Sequence, residues 1–169
     1  LEIQNIGRLI TELAPDAVEI HTICGRSKNF ETTVQTISSS KTQLKRLAVS
    51  CGLHADKNSV EFLIKELWKR YASLKRYGHK PIWQLDGKPM SGDIGAGTAH
   101  AAIKLLRQIG RYAPPGPIQL AGGTNAQTIK LLNSRDRPSG VGFGGTARKL
   151  LQPLLIEAQN RKTSLREWP

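Results

Sequence analysis

Cysteine is scarce in this sequence. Two residues, Cys24 and Cys51, among 169 cannot build the dense disulfide framework of a small secreted scaffold, and no Cys-x-x-Cys pair occurs, which excludes the common zinc and ferredoxin-type motifs within these residues. The expected compartment is reducing. Long hydrophobic runs are missing too: no stretch approaches the ~18 uninterrupted apolar residues of a membrane span, and the opening Leu1-Glu2-Ile3-Gln4-Asn5 lacks the basic-then-apolar layout of a signal peptide. A soluble protein is expected. Acidic residues are outnumbered, 13 Asp and Glu against 25 Lys and Arg, for a formal net charge of +12. Such a surplus favours nucleic acid, an acidic protein or a phosphorylated ligand and selects none of them. No Ser-His-Asp spacing, Walker motif or dinucleotide fingerprint is present, so familiar hydrolase, kinase and Rossmann chemistries have no direct support.

What is present is an alternation of extended and helical segments. The length suits one domain or part of one, and hydrophobic residues at 38% give an ordinary globular share once glycine is counted. Patterning predicts strands at Ala17–Ile23, Arg46–Ser50, Ile82–Asp86, Ile118–Ala121 and Gly140–Phe143, with helices at Ile3–Leu13, Phe30–Ser38, Ser59–Tyr77, Thr98–Ile109, Ala126–Asn133 and Ala147–Gln159. In Ser59–Tyr77 the residues Val60, Leu63, Ile64, Leu67, Tyr71 and Leu74 recur at steps of three or four and share one face, while Lys65, Lys69, Arg70, Lys75 and Arg76 lie elsewhere. Ala99, Ala102, Ile103, Leu106 and Ile109 do the same in the fourth helix, with Thr98 placed to cap its N-terminus. Strand, helix, strand repeated through the chain means a parallel α/β sheet.

The strand faces point to a particular kind of sheet. Val18 and Ile20, Leu47 and Val49, Trp83 and Leu85, Ile118 and Leu120, and Val141 and Phe143 face one way; Glu19, His21, Arg46, Ala48, Ser50, Gln84, Asp86, Gln119, Ala121, Gly140, Gly142 and Gly144 face the other. Parallel strands covered on both sides read as continuous apolar runs. These alternate, which suits a barrel whose greasy face meets helices and whose polar face lines a lumen. The expected fold is therefore the C-terminal five units of a (β/α)8 TIM-barrel-like fold, with residues 1–160 as a partial barrel domain, 161–169 as a basic C-terminal tail, and three further βα units upstream.

Sites in such folds lie at the carboxyl ends of strands. Cys24-Gly25 and Cys51-Gly52 follow the first two strands, so the cysteines are expected at equivalent rim positions, either as unligated thiols or as a disulfide, shared metal site or redox pair. Between Asp86 and Thr98 runs a Gly-rich loop in which Asp86 and Asp93 are candidate acids, bases or cation ligands, or merely order the loop. Gly122-Gly123-Thr124-Asn125 and Gly144-Gly145-Thr146 each precede a predicted helix; two such starts after the last two strands match a phosphate-binding arrangement of bare amides, with tight turns that bind nothing as the alternative. Glu19 and His21 sit beside Arg46 on the polar face. A buried Glu–Arg pair is the simpler reading, and a partner for His21 would make it a candidate base. Nucleic-acid binding is the weakest function, because the densest basic cluster, Lys65 to Lys80, lies on the solvent face of an ordinary crossover helix.

Three strings carry a resemblance: Ala17-Val18-Glu19-Ile20-His21-Thr22; Ile82-Trp83-Gln84-Leu85-Asp86-Gly87-Lys88-Pro89-Met90-Ser91-Gly92-Asp93-Ile94-Gly95; and Gln119-Leu120-Ala121-Gly122-Gly123-Thr124-Asn125. Together they resemble the C-terminal half of the light-dependent period proteins of cyanobacteria and their plastid relatives. The resemblance implies a regulatory iron–sulfur protein, cytoplasmic in a cyanobacterium or stromal in a plastid. It implies that redox state, a proxy for light, reaches the circadian clock through clock-input or other regulatory partners. The cluster-binding cysteines of that family lie N-terminal to this region, so no cofactor is expected on this chain alone. The competing expectation is an enzyme or receptor holding a phosphorylated small ligand at the rim, with Gly122, Gly123, Thr124, Asn125, Gly144, Gly145 and Thr146 around the phosphate and Asp86, Asp93, His21 or Glu19 moving protons.

Overall fold

Strand alternation decides the architecture. The computed structural model describes residues 5–40, 42–53, 59–87 and 97–162. In chain order these form α1 (Ile6–Leu13), β1 (Ala17–Ile20), α2 (Ser27–Ser38), β2 (Arg46–Cys51), α3 (Val60–Arg76), β3 (Pro81–Asp86), α4 (Ala99–Ile109), β4 (Ile118–Ala121), α5 (Thr128–Leu131), β5 (Gly140–Val141) and α6 (Gly144–Arg161). The strands make one sheet in the order β1-β2-β3-β4-β5, every neighbouring pair parallel. Right-handed crossovers taken in this order place the connecting helices on the same face. The register confirms the expected facing: Val18 lies opposite Leu47, Val49 opposite Ile20 and Trp83, and Leu85 opposite Cys51 and Leu120. These residues join Phe30, Val34 and Ile37 of α2, Leu63, Leu67 and Leu74 of α3, and Ile103, Leu106 and Ile109 of α4 in a single core.

The sheet is open. β1 and β5 each pair on one side among the described residues, so the chain forms an α/β sheet of five parallel strands with interleaved helices, and these strands do not close the expected (β/α)8 barrel. Closure at ordinary strand tilt takes eight strands. Among the described residues no helix is long and apolar enough to cross a membrane.

Several expected boundaries shift for local reasons. β1 stops at Ile20 instead of Ile23, because the Thr22 amide donates to Ser50 Oγ (3.1 Å) and its hydroxyl to the Ser50 carbonyl, replacing ladder bonds with side-chain ones. α2 begins at Ser27 and α6 at Gly144, each earlier than the apolar pattern indicated, while β5 ends at Val141 and Phe143 becomes the residue before α6. Thr98 does not cap α4: its backbone is already helical, and its hydroxyl donates to the Gly123 carbonyl at 2.5 Å. Ser59 does cap α3, accepting from the Phe62 amide at 3.2 Å. Trp83 is fully buried and donates from Nε1 to the Pro114 carbonyl at 3.0 Å. Gly116, at φ 147, lets that loop close over the indole, since a Cβ there would stand 3.0 Å from Nε1.

The polar side of α3 differs from expectation. Its charge sets Arg70 apart from the apolar face, yet Arg70 and Glu66 are each 1% exposed. Glu66 accepts from the Gly25 amide (3.2 Å), from Ser27 Oγ at both oxygens (3.1 and 2.9 Å) and from Lys69 Nζ (3.2 Å), while Arg70 Nη2 stands 3.9 Å away and donates to the Ile23 carbonyl at 3.2 Å. Burial opposes ionisation of Glu66, but the bonds from Ser27, Lys69 and Gly25 outweigh it and hold the carboxyl below its ordinary range. Arg70 stacks over Phe30 at 5.8 Å, and its Nε and Nη1 have no hydrogen-bond partner among the described residues.

Removing one member of this pair should be costlier from one side than the other. Glu66→Leu strands a buried guanidinium and is expected to cost about 3–5 kcal/mol in urea unfolding, whereas Arg70→Met leaves Glu66 held by Ser27, Lys69 and the Gly25 amide and should cost less. Equal losses would show that the carboxylate depends on Arg70 rather than on the loop.

Candidate functional site

The polar face of the sheet carries a hydrogen-bonded row of side chains. Gln119 Nε2 on β4 donates to Gln84 Oε1 on β3 at 3.3 Å, Gln84 Nε2 donates to Glu19 Oε1 on β1 at 2.6 Å, and His21 Nε2 stands 3.3 Å from that same oxygen. Gln84 reaches β1 because the β2 residues between them, Ala48 and Ser50, are small. At the other end a Cβ on Gly142 would lie 2.8 Å from Gln119 Nε2, so the absence of a side chain there leaves Gln119 its place. These long polar side chains thus meet only because their neighbours are nearly bare.

Asp86 ends β3 at the carboxyl edge of this row, 8% exposed, with Gln84 and Ser50 as hydrogen-bond partners. Burial, and next the nearby Glu19 charge, push its carboxyl up to about 6, against the opposing pull of His21, Gln84 and Ser50. A carboxyl that gains and loses its proton near neutrality, beside a Glu–His pair at the end of a parallel strand, has the properties of a proton donor and acceptor. Asp93, the other acidic candidate of that loop, lies outside the described residues. Among the described residues no three His, Cys, Asp or Glu side chains are grouped to hold a metal ion.

The expected Glu19–Arg46 pair does not form. Arg46 shares the polar face but lies opposite Ala17, toward the amino end of β2, and its Nη1 donates to the Lys45 carbonyl at 2.8 Å. There it lines, with Lys45, His79 and Lys80, a groove of about 870 Å³ at the end of the sheet away from Asp86. Glu19 instead pairs with His21, which supplies the partner a histidine base needs.

The two cysteines are not equivalent. Register aligns Ile20 with Val49, so Cys24 falls two positions past the level of Cys51. Cys51 is the last residue of β2, buried on the apolar face, with Sγ donating to the Gln84 carbonyl at 3.2 Å; Cys24 is half-buried beside Arg70. Both are free thiols, and burial raises the pKa of each, with Arg70 opposing.

The two Gly-rich turns do meet. Thr124 is buried and its hydroxyl donates to the Gly142 carbonyl, tying the loop after β4 to the start of the β5–α6 turn. Only the second turn leads at once into a helix: α6 starts at Gly144, whereas α5 starts at Thr128. Asn125 makes the intervening turn, accepting at Oδ1 from the Gln127 amide (2.9 Å) and donating from Nδ2 to Thr98 Oγ1 (3.1 Å). Gly123, at φ 86, allows the chain to pass Thr98, whose carbonyl oxygen would lie 3.1 Å from a Cβ. Space around Gly144 is open. The side chain of Thr146 lies outside the described ones.

Sequence reasoning missed two features. Glu66 and Arg70 fall between Leu63, Leu67 and Leu74 on the same helical stripe, so periodicity alone signals their burial. The row through Gln84 and Gln119 was legible as a polar face and not as a connected chain, because linkage depends on the small residues of neighbouring strands.

Residues 9–169 match the family described as the Light dependent period A C-terminal domain. The chain belongs to that family. It is 38% identical over 168 residues to Light dependent period A of Synechococcus elongatus, an overlap that covers 95% of this chain and 46% of the relative. The chain therefore spans less than half of that relative's length. No solved structure matches it. The resemblance carried by the Glu19, Asp86 and Gly122 strings is thus borne out, and all three strings supply residues of the polar row of this Light dependent period A domain.

The Asp86 carboxyl sets a direction for stability against pH. Its folded-state value near 6 lies above the ordinary 3.8, so between roughly pH 4 and pH 6 the folded domain holds a proton that the unfolded chain has lost, and stability falls as pH rises through that window. Asp86→Asn should flatten this part of the profile and stabilise the domain above pH 6 by on the order of 2 kcal/mol, after allowance for partial solvation. Urea unfolding from pH 4 to pH 8 measures it; a variant whose profile parallels the wild type would place the titration elsewhere.

Proposed function

We propose that this chain is the C-terminal domain of a redox-sensing iron–sulfur regulatory protein that carries light and redox input to the circadian clock. The observation that carries this reading is the match of residues 9–169 to the Light dependent period A C-terminal domain. The iron–sulfur centres belong to the N-terminal portion of such proteins. The donor set here does not fit a cluster, which takes four thiolates as a rule: there are two cysteines, one buried in the core, and the pKa of both is raised. In this reading the five βα units are part of a (β/α)8 barrel completed by other segments, and the row from Gln119 to His21, with Asp86 at its edge, faces a lumen where a ligand or regulatory partner is received.

The decisive experiment is genetic. A Synechococcus elongatus strain in which the C-terminal part of Light dependent period A is replaced by this chain is expected to keep a clock period that varies with light intensity. A hybrid protein that accumulates normally while the period ignores light would defeat the reading. On the purified 169-residue chain, iron and acid-labile sulfide should both be far below one per molecule; stoichiometric amounts would overturn the assignment of the clusters to the N-terminal portion.

A second reading is favoured by the Asp86 carboxyl held near neutrality and by the Thr124–Gly142 bond that draws the Gly-rich turns together. Here the rim receives a phosphorylated small molecule through the amides of Gly122, Gly123, Thr124 and Asn125 and of Gly144, Gly145 and Thr146, with Asp86, Asp93, His21 and Glu19 available for proton transfer. Phosphate should then raise the melting temperature by mass action beyond chloride at matched ionic strength, and Gly145→Val should abolish the gain. Equal stabilisation of both proteins would leave the turns as structural corners.

A further inference from the structure

The last helix is out of keeping with the rest of the domain. Helices α2, α3 and α4 bury their apolar stripes against the sheet, but along α6 the side chains of Leu150, Leu151, Leu154, Leu155 and Ile156 are 69, 53, 46, 47 and 50% exposed, and Ala158 is the one residue of the helix that is buried among those described. Scattered exposed leucines need no explanation, whereas five large aliphatics within seven residues make a contiguous patch of the kind that marks an interface. Pro153 lies inside the helix, where it removes a backbone bond. Such a helix gains little from its own propensity and depends on packing for its stability.

Position in the sheet explains why packing is missing. A crossover helix in a parallel sheet covers its own strand and the one its chain enters next. α6 leaves β5, the last strand, and among the described residues β5 has one paired neighbour, so α6 has half of the surface it would otherwise cover. Gly142 and Phe143 alone separate β5, with its unpaired edge, from the first residue of α6. An occupant must therefore be a protein segment able to meet a strand edge and a leucine-rich helix together.

We propose that this surface is the docking site for the portion of the Light dependent period A chain that lies N-terminal to this domain. The relative from Synechococcus elongatus has more than half of its length beyond the matched region, which is ample to supply a strand beside β5 and a helix against α6. A second copy of this chain is the competing occupant, and it supplies no segment beyond those whose surfaces are already engaged in this domain. The inference requires contact with α6 and does not require a closed barrel or a role in the clock, so it stands or falls apart from the reading above.

The experiment uses the full-length Synechococcus elongatus protein and the 169-residue chain in parallel. Leu150→Glu with Leu154→Glu in the chain, and glutamate at the two aligned positions of the full-length protein, are compared by thermal unfolding. The chain should keep its melting temperature within about 2 °C, because both side chains are solvated already, while the full-length protein should lose at least about 5 °C. Amide exchange in the helix aligned with α6 should also be at least about tenfold slower in the full-length protein than in the isolated chain. Equal loss in both proteins would mean that the leucines pack within the domain, and no loss in either, or equal exchange, would mean that nothing from the N-terminal portion covers them. A 169-residue chain that dimerises at micromolar concentration, and is made monomeric by the substitutions, would assign the surface to a second copy. Any of these results overturns the proposal.

Discussion

Everything in this domain follows from a sheet that is covered by helices on one side. Five parallel strands in sequence order, joined by crossovers of one hand, gather α2, α3 and α4 over the apolar face. The hydrophobic effect is spent on that side, where Leu47, Val49, Trp83, Leu85 and Leu120 are fully buried. The opposite face is left to side chains that find hydrogen bonds among themselves, because α2, α3 and α4 all pack on the apolar one. One-sided cover therefore makes both the core and the polar row, and it also strands α6 beyond the last strand.

On the covered side, the buried Glu66–Arg70 pair is a second determinant. Two charges removed from water within one helical turn are an expensive way to hold a helix, and the arrangement is better understood through the loop that it grips. Glu66 binds the Gly25 amide and Ser27, the first residue of α2, while Arg70 binds the Ile23 carbonyl. The segment between β1 and α2 thus takes its shape from α3, although it carries the half-buried Cys24 at the carboxyl end of the sheet. Nε and Nη1 of Arg70, two nitrogens without a hydrogen-bond partner among the described residues, record the cost of placing a five-donor group where the loop uses only part of it.

The candidate site shows how far alternation can be trusted. Glu19, Gln84 and Gln119 share a face because every second residue of a strand does, and that was legible from Val18, Trp83 and Leu120 flanking them. Their linkage was not, since Gln84 reaches Glu19 over Ala48 and Ser50 of another strand and Gln119 fits only where Gly142 has no side chain. Arg46 had the right face and the wrong height: register sets it opposite Ala17, away from Glu19. The cysteines failed for the same reason, because Cys-Gly pairs that look equivalent along the chain sit at different levels once Ile20 is set against Val49.

By itself, then, the sequence determined the strand order, the parallel sheet, the two-faced character of each strand and the family, since these rest on local periodicity and on residue strings that the chain carries from end to end. Only the tertiary structure decided that the sheet stays open, that Glu66 and Arg70 grip the loop before α2, that Thr124 ties one turn to the other, and that burial raises the Asp86 carboxyl to about 6. Each of these depends on which residues of separate elements come within a few ångströms of one another. Periodicity assigns a residue to a face, but height along the strand, the size of the neighbour across it and the presence of a next strand are properties of the assembled sheet.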